Sequence, residues 1–199
     1  MSQRLLNEGD FKMNYIGSTL PDFKVKAFQH GEVQSLTATD LKGHWSVLFF
    51  YPADFSFVCP TELGDLAEHY AAFKDQDAEI YSVSEDTEFV HQAWHEQSPE
   101  VGQVEYPMIA DPAGDLARHY GVLDEDAGQA YRGVFILDPA GAVRSYTIND
   151  MGIGRNATEI LRTLTAAQFV AEHGDRVCPA NWHPGEATLQ PGTKLVGKI

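Results

Sequence analysis

Cys59 and Cys178 are the chain's two thiols, and no Cys-x-x-Cys pair occurs. Cys59 sits in the segment Phe50-Tyr51-Pro52-Ala53-Asp54-Phe55-Ser56-Phe57-Val58-Cys59-Pro60-Thr61-Glu62. The thiolate is the reactive form of cysteine, and the unpaired N–H groups and dipole of a helix N-terminus stabilise it. Pro60 suits a first helical turn, where a missing N–H costs nothing. Cys59 is therefore expected at or just before a helix start. Ser56, three residues earlier, has a hydroxyl within reach of a thiolate or a bound oxygen. Pro52 can shield such a site from water without adding a donor. Position alone leaves two readings open, a nucleophile and an inert core cysteine.

The surrounding elements must deliver Cys59 to that position. Residues 46–51 form a continuous apolar run before Pro52 and read as a strand buried on both faces. Leu63, Leu66, Ala67, Tyr70 and Phe73 recur at helical spacing, so a helix is expected over 59–74. Strands follow at 78–83 and, briefly, at 106–110, with helices at 87–97 and about 114–120. Residues 133–137 and 142–148 read as a hairpin turning at Asp138-Pro139-Ala140-Gly141. A last helix is expected over 157–172, capped by Asn156, with Glu159 completing a capping-box-like pattern and Gly174 beyond its end. Cys178-Pro179, Pro184-Gly185 and Pro191-Gly192 then break regular structure, so 175–199 reads as an extended, mobile arm. Strands alternating with helices imply an α/β fold, a mixed central sheet flanked by helices on both faces.

At 199 residues the chain fits one domain with a real core. Fourteen basic residues against 29 acidic ones give a net charge of -15, which argues against nucleic acid and an anionic membrane surface as partners. Residues 1–10 hold no apolar run of signal-peptide length, and no stretch approaches a membrane span, so a cytoplasmic location is expected. In a reducing compartment a structural disulfide does not persist, which leaves bystander, metal-ligand or redox roles for the cysteines. His91 and His95 stand at i and i+4, a spacing that can hold zinc. No Glu follows the first of them and no cysteine is near, so they read as a solvated helix face, and no metal is expected. Gly152-Ile153-Gly154 lacks the third glycine of a dinucleotide loop. Asn156-Ala157-Thr158 reads as a helix cap rather than a glycosylation site.

Pro52, Ser56 and Cys59 stand in a Pro-x-x-x-(Thr/Ser)-x-x-Cys arrangement, and this stretch resembles the peroxiredoxin family. Phe-Phe-Tyr-Pro-Ala-Asp-Phe at 49–55, Tyr-Pro-Met-Ile-Ala-Asp-Pro at 106–112, Arg-Gly-Val-Phe-Ile-Leu-Asp-Pro at 132–139 and Val-Cys-Pro-Ala-Asn-Trp at 177–182 extend the likeness to its typical two-cysteine members. Gly-Glu-Ala-Thr-Leu at 185–189 and Leu-Val-Gly-Lys-Ile at 195–199 resemble the bacterial alkyl hydroperoxide reductase branch. The likeness runs from about residue 16 onward.

The resemblance implies a thioredoxin-like peroxidase domain at 1–174 and an arm at 175–199 that carries a resolving cysteine. Cys59 matches the peroxidatic nucleophile, Pro52 and Ser56 its motif partners, and Arg132 the active-site arginine, with Glu62 and Arg155 orienting Arg132. Ser56 replaces the commoner threonine, keeping the hydroxyl and losing a methyl that restricts its rotamer. Hydrogen peroxide and organic hydroperoxides become water or alcohols through a Cys59 sulfenic acid, which Cys178 of a partner subunit converts to a disulfide. The resemblance also implies a homodimer that assembles into a decamer, and no bound cofactor. Electrons come from an external NAD(P)H-dependent flavoprotein disulfide reductase or a thioredoxin-like donor. A redox relay or sensor and a holdase chaperone are the alternative functions. Over-oxidation-sensitive relatives resemble one another in a Gly-Gly-Leu-Gly insertion and a C-terminal Tyr-Phe helix. This chain has Glu100-Val101-Gly102-Gln103-Val104 where the first would lie and ends at Gly197-Lys198-Ile199 without the second, so resistance is expected.

Overall fold

In the computed structural model, which describes residues 14–198, the strand that leads to Cys59 lies between two others inside one sheet. The reading of residues 1–10 as free of a signal segment lies outside the described residues. In chain order the elements are β1 (Lys24–Gln29), β2 (Glu32–Thr37), β3 (Trp45–Phe50), α1 (Cys59–Glu68) and α2 (Tyr70–Asp75). They continue with β4 (Ala78–Ser84), α3 (Glu88–Gln97), β5 (Met108–Ala110), α4 (Asp115–His119), β6 (Leu123–Asp124) and β7 (Gln129–Ala130). β8 (Arg132–Leu137), β9 (Val143–Asn149) and α5 (Ala157–Glu172) complete the order. Seven strands form a mixed sheet in the order β2-β1-β5-β4-β3-β8-β9, and β6 and β7 make a separate small hairpin. The fold is α/β and thioredoxin-like, as expected.

β3 runs parallel to β4, with Val47 opposite Ile80, and antiparallel to β8, with Leu48 opposite Phe135. Because side chains alternate across a strand, β3 feeds two cores. Trp45, Val47 and Phe49 face one core with Leu63 and Leu66 of α1, Trp94 of α3, and Ile160 and Leu164 of α5. Leu48 and Phe50 face the other with Leu116 and Ala117 of α4 and Tyr120, Phe135 and Leu137. Every β3 residue is buried, which is why its sequence reads as an unbroken apolar run.

Several features differ from expectation, the small β6–β7 hairpin among them. The helix expected over 59–74 breaks at His69, whose backbone leaves the helical region (φ -96°, ψ 0°) and whose ring nitrogen lies 2.8 Å from the Asp65 carbonyl. The apolar stripe continues across the break because α2 still buries Phe73. The β1–β2 hairpin is additional; its two-residue turn uses His30 and Gly31, both at positive φ (51° and 80°), the twist that tight hairpins favour. The arm beyond α5 folds back on itself rather than running straight. Val177 and Leu189 bridge, and Trp182 is buried with its ring 5.0 Å from that of Phe169 on α5. At the other end of α5 the Asn156 side chain accepts from the Glu159 N–H, while the Glu159 carboxylate pairs with Arg162. No helix among the described residues is long and apolar enough to cross a membrane.

One half-buried acid disfavours the fold at neutral pH. Glu85, just past β4, accepts from the Ala130 N–H at 2.8 Å, and its other oxygen is buried without a hydrogen-bond partner among the described residues. Burial, reinforced by Asp111 and Asp86, pushes its carboxyl from 4.5 up to about 7. A carboxyl raised by folding contributes most below its unfolded value, and that contribution is lost as pH rises through the folded one. Glu85→Gln should therefore stabilise the protein at pH 8, on the order of 2 kcal/mol after allowance for partial exposure, and change little at pH 4. Urea unfolding at the two pH values measures the difference.

Candidate active site

β3 ends at Phe50, and the eight residues 51–58 carry the chain into α1, whose first residue is Cys59. Pro60 occupies the first turn, as expected. Cys59 is wholly buried, and its Sγ accepts a hydrogen bond from Arg132 Nη1 at 3.4 Å. Arg132 begins β8, the antiparallel neighbour of β3, so the sheet brings it beside the helix start across 73 positions of sequence.

Glu62 lies one turn beyond Cys59 and is 2% exposed. Its Oε2 accepts from Arg132 Nη1 at 2.6 Å and from Arg155 Nη2 at 3.0 Å. Its Oε1 accepts from the side chain and the backbone N–H of Arg155, both at 2.8 Å. Arg132 Nε donates to the Met151 carbonyl at 2.6 Å. Arg155 Nη1 donates to the carbonyls of Phe50 and Gly133, and the Phe49 ring lies 3.4 Å from its guanidinium carbon. Burial pulls the Arg155 guanidinium below the ordinary arginine range, with Glu62 pulling the other way. Two guanidinium groups and one carboxylate leave this pocket one positive charge in excess. A thiolate at Cys59 brings the sum to zero.

Pro52, at the start of the loop, is buried. Ser56 Oγ donates to the Ala53 carbonyl at 2.7 Å, closing the turn rather than pointing its proton at Cys59, so its lone pairs remain free to accept. Cys178 lies on the arm, half-buried, its Sγ 3.9 Å from the Ala166 carbonyl of α5. Burial pushes its thiol up, and Arg162 opposes that shift. Both cysteines are free. The structure thus brings Cys59, Arg132, Glu62 and Arg155 together on one side, with Pro52 and Ser56 in the loop above, and places Cys178 elsewhere in the chain.

Residues 91 and 95 do not form a solvated face. His91 is fully buried and His95 is half-buried, its Nε2 3.1 Å from the Val104 carbonyl and its ring 5.2 Å from Phe28. Helical spacing locates a stripe but not its burial, and α3 turns this one toward the sheet. Among the described residues, no three His, Cys, Asp or Glu side chains group as metal ligands. Gly154 serves close packing instead of a nucleotide, since a Cβ there would stand 3.3 Å from Val58 Cγ1. Tyr106 was not legible in sequence; its hydroxyl donates to the Leu63 carbonyl at 2.9 Å, and Asp65 Oδ2 accepts from the Ala157 N–H at 2.7 Å, so both hold α1 from its second turn onward.

A family model described as the AhpC/TSA family matches residues 16–146, and one described as the C-terminal domain of 1-Cys peroxiredoxin matches residues 166–196. Alkyl hydroperoxide reductase C of Bacillus subtilis is 51% identical over 187 residues, covering 94% of this chain and all of that protein. Its Escherichia coli K12 counterpart is 48% identical over the same length and coverage. The crystal structure of Enterococcus faecalis AhpC superposes with a TM-score of 0.82 at 57% identity, covering 84% of this chain and 100% of that one. The reduced 2-Cys peroxiredoxin of Plasmodium vivax gives 0.85 at 30% identity, covering 91% and 95%.

Glu62→Ala should leave two buried guanidinium groups without their shared carboxylate. Removing one partner of a buried ion pair costs about 3–5 kcal/mol, a loss that denaturant unfolding will show. Lys74→Ala, which breaks the surface pair with Glu79, should cost about 1 kcal/mol or less.

Proposed function

This chain belongs to the AhpC/TSA family, and from that premise we propose that Cys59 reduces hydrogen peroxide and organic hydroperoxides while Cys178 resolves the oxidised product. The chain is a peroxiredoxin of the alkyl hydroperoxide reductase type, and its activity is that of a peroxidase. The observation that carries the residue assignment is the Arg132 Nη1 to Cys59 Sγ contact at a helix start, inside a pocket with one uncompensated positive charge.

The Cys59 thiolate attacks one peroxide oxygen, forming an S–O bond as the O–O bond breaks. The departing hydroxide or alkoxide takes a proton and leaves as water or an alcohol. Arg132 donates to the oxygens as charge develops, Arg155 and Glu62 hold Arg132, Ser56 offers its hydroxyl, and Pro52 keeps water out. Cys178 of a partner subunit then attacks the sulfenic sulfur, releasing water and leaving a disulfide. An external dithiol donor, a flavoprotein disulfide reductase fed by NAD(P)H or a thioredoxin-like protein, returns both thiols by exchange.

Several features favour this cycle. Cys178 and Trp182 of the arm lie against α5, Cys178 Sγ 3.9 Å from the Ala166 carbonyl and the Trp182 ring 5.0 Å from that of Phe169. β9 is an edge strand, and Phe55, Phe57 and Phe89 are exposed, Phe57 by 94%, which supports a dimer that assembles further. Residues 101–103 form only a short turn where sensitive relatives carry an insertion, which favours ready unwinding at Cys59 and resistance to over-oxidation.

Cys59→Ser should abolish peroxide reduction, and Cys178→Ser should allow one rapid turnover and then block recycling. Steady turnover by Cys59→Ser would overturn the assignment. Arg132→Ala should lower the second-order rate with peroxide by about 10²–10³-fold in stopped flow. During turnover, mass spectrometry should find a Cys59–Cys178 disulfide joining two chains. Sulfinic Cys59 accumulating at low peroxide, or a disulfide within one chain, would contradict it.

A further inference from the structure

The loop above Cys59 hangs from a pair of polar side chains that the cycle does not use. His91 of α3 and Asp54 of the loop are both wholly enclosed at the side chain. His91 Nε2 lies 3.1 Å from the Ile109 carbonyl on β5, and a carbonyl only accepts, so that nitrogen holds a hydrogen. His91 Nδ1 lies 2.7 Å from Asp54 Oδ2, a distance that requires a second proton between them. Asp54 Oδ1 accepts from the Tyr51 hydroxyl at 2.7 Å. The Asp54 backbone N–H donates to Asp86 Oδ2, which also accepts from Ser84 Oγ, both at 2.8 Å. Burial raises the Asp54 carboxyl, with His91 and Tyr51 opposing and Asp86 adding to it.

What this pair holds is strained. Phe55, the next residue, has φ of 53°, a left-handed conformation that a bulky side chain keeps only when its surroundings over-determine it. Its ring meets Trp94, also on α3, at 5.9 Å. The Ser56 to Ala53 hydrogen bond closes the same turn, three residues before Cys59 starts α1. The turn therefore depends on α3 at two points, and Ser56 and Cys59 depend on the turn.

We propose that Asp54 and His91 are positioning residues, a buried pair sharing one proton that fixes the 52–58 loop against α3 in the arrangement that reacts with peroxide. This rests on the peroxidase reading of Cys59. Breaking the pair releases the strained turn and favours the unwound arrangement, which slows peroxide attack but not condensation with Cys178.

Stopped flow with hydrogen peroxide and acid-quench mass spectrometry, at temperatures well below unfolding, resolve the two steps. His91→Leu and Asp54→Ala should slow Cys59 oxidation by about 10- to 100-fold, the scale of a misplaced reacting group, and leave condensation no slower. Asp54→Asn should recover most of the loss, because its amide N–H can donate to Nδ1 and its oxygen can accept from Tyr51. Tyr51→Phe, which deletes one hydrogen bond, should fall between. If His91→Leu does not fold, Tyr51→Phe against Asp54→Asn makes the same comparison. Folded variants oxidised at the parent rate, both steps slowed together, or Asp54→Asn as slow as Asp54→Ala would each overturn the proposal. Failure of the peroxidase reading is separate, since it appears as no Cys59 oxidation in the parent.

Discussion

Glu62 is the residue on which the site depends. A lone buried arginine is costly, and two side by side repel; each persists here because one carboxylate accepts from both. Through those bonds Glu62 ties α1 to the start of β8 and to the segment that enters α5. Arg155 extends the tie to the ends of β3 and β8 through the carbonyls of Phe50 and Gly133. The same arrangement sets the charge. A second acid in the pocket would cancel the positive excess and leave no electrostatic room for an anion at Cys59.

The two-sided core explains why such a cluster can be held rigidly. β3, β4 and β8 are covered on both faces, so the strand end that launches the loop has few ways to move. The polar cluster lies where apolar packing stops, at the exit of β3. Its members come from elements far apart in sequence and are adjacent only because β3 and β8 pair.

That distance marks the limit of what the sequence shows. β3, the helix start at Cys59, the β8–β9 hairpin and the Asn156 cap follow from local patterns that each involve fewer than about twenty residues. Arg132 and Arg155 have no local signature, and only the family resemblance pointed to them. The β1–β2 hairpin was legible in principle, since His30-Gly31 separates two alternating runs, but Lys24 and Lys26 and the exposed Glu32 to Ser35 stretch dilute its apolar signal. His91 shows a different limit. Spacing gave the helix correctly, but a histidine on a helix carries no mark of whether it faces water or a buried aspartate.

The clamps on α1 divide that helix unequally. Tyr106 grips the Leu63 carbonyl and Asp65 grips the N-terminus of α5, while the turn before them answers chiefly to Glu62. Opening of the turn at Cys59 would take Cys59 out of its core cluster but leave Leu63 and Leu66, which lie beyond it, in place. Helical residues melt and reform on a scale of nanoseconds each. Under the proposed cycle, the turn that carries Cys59 is the part of α1 with the fewest ties, while Leu63 and Leu66 stay packed where Tyr106 and Asp65 hold the helix.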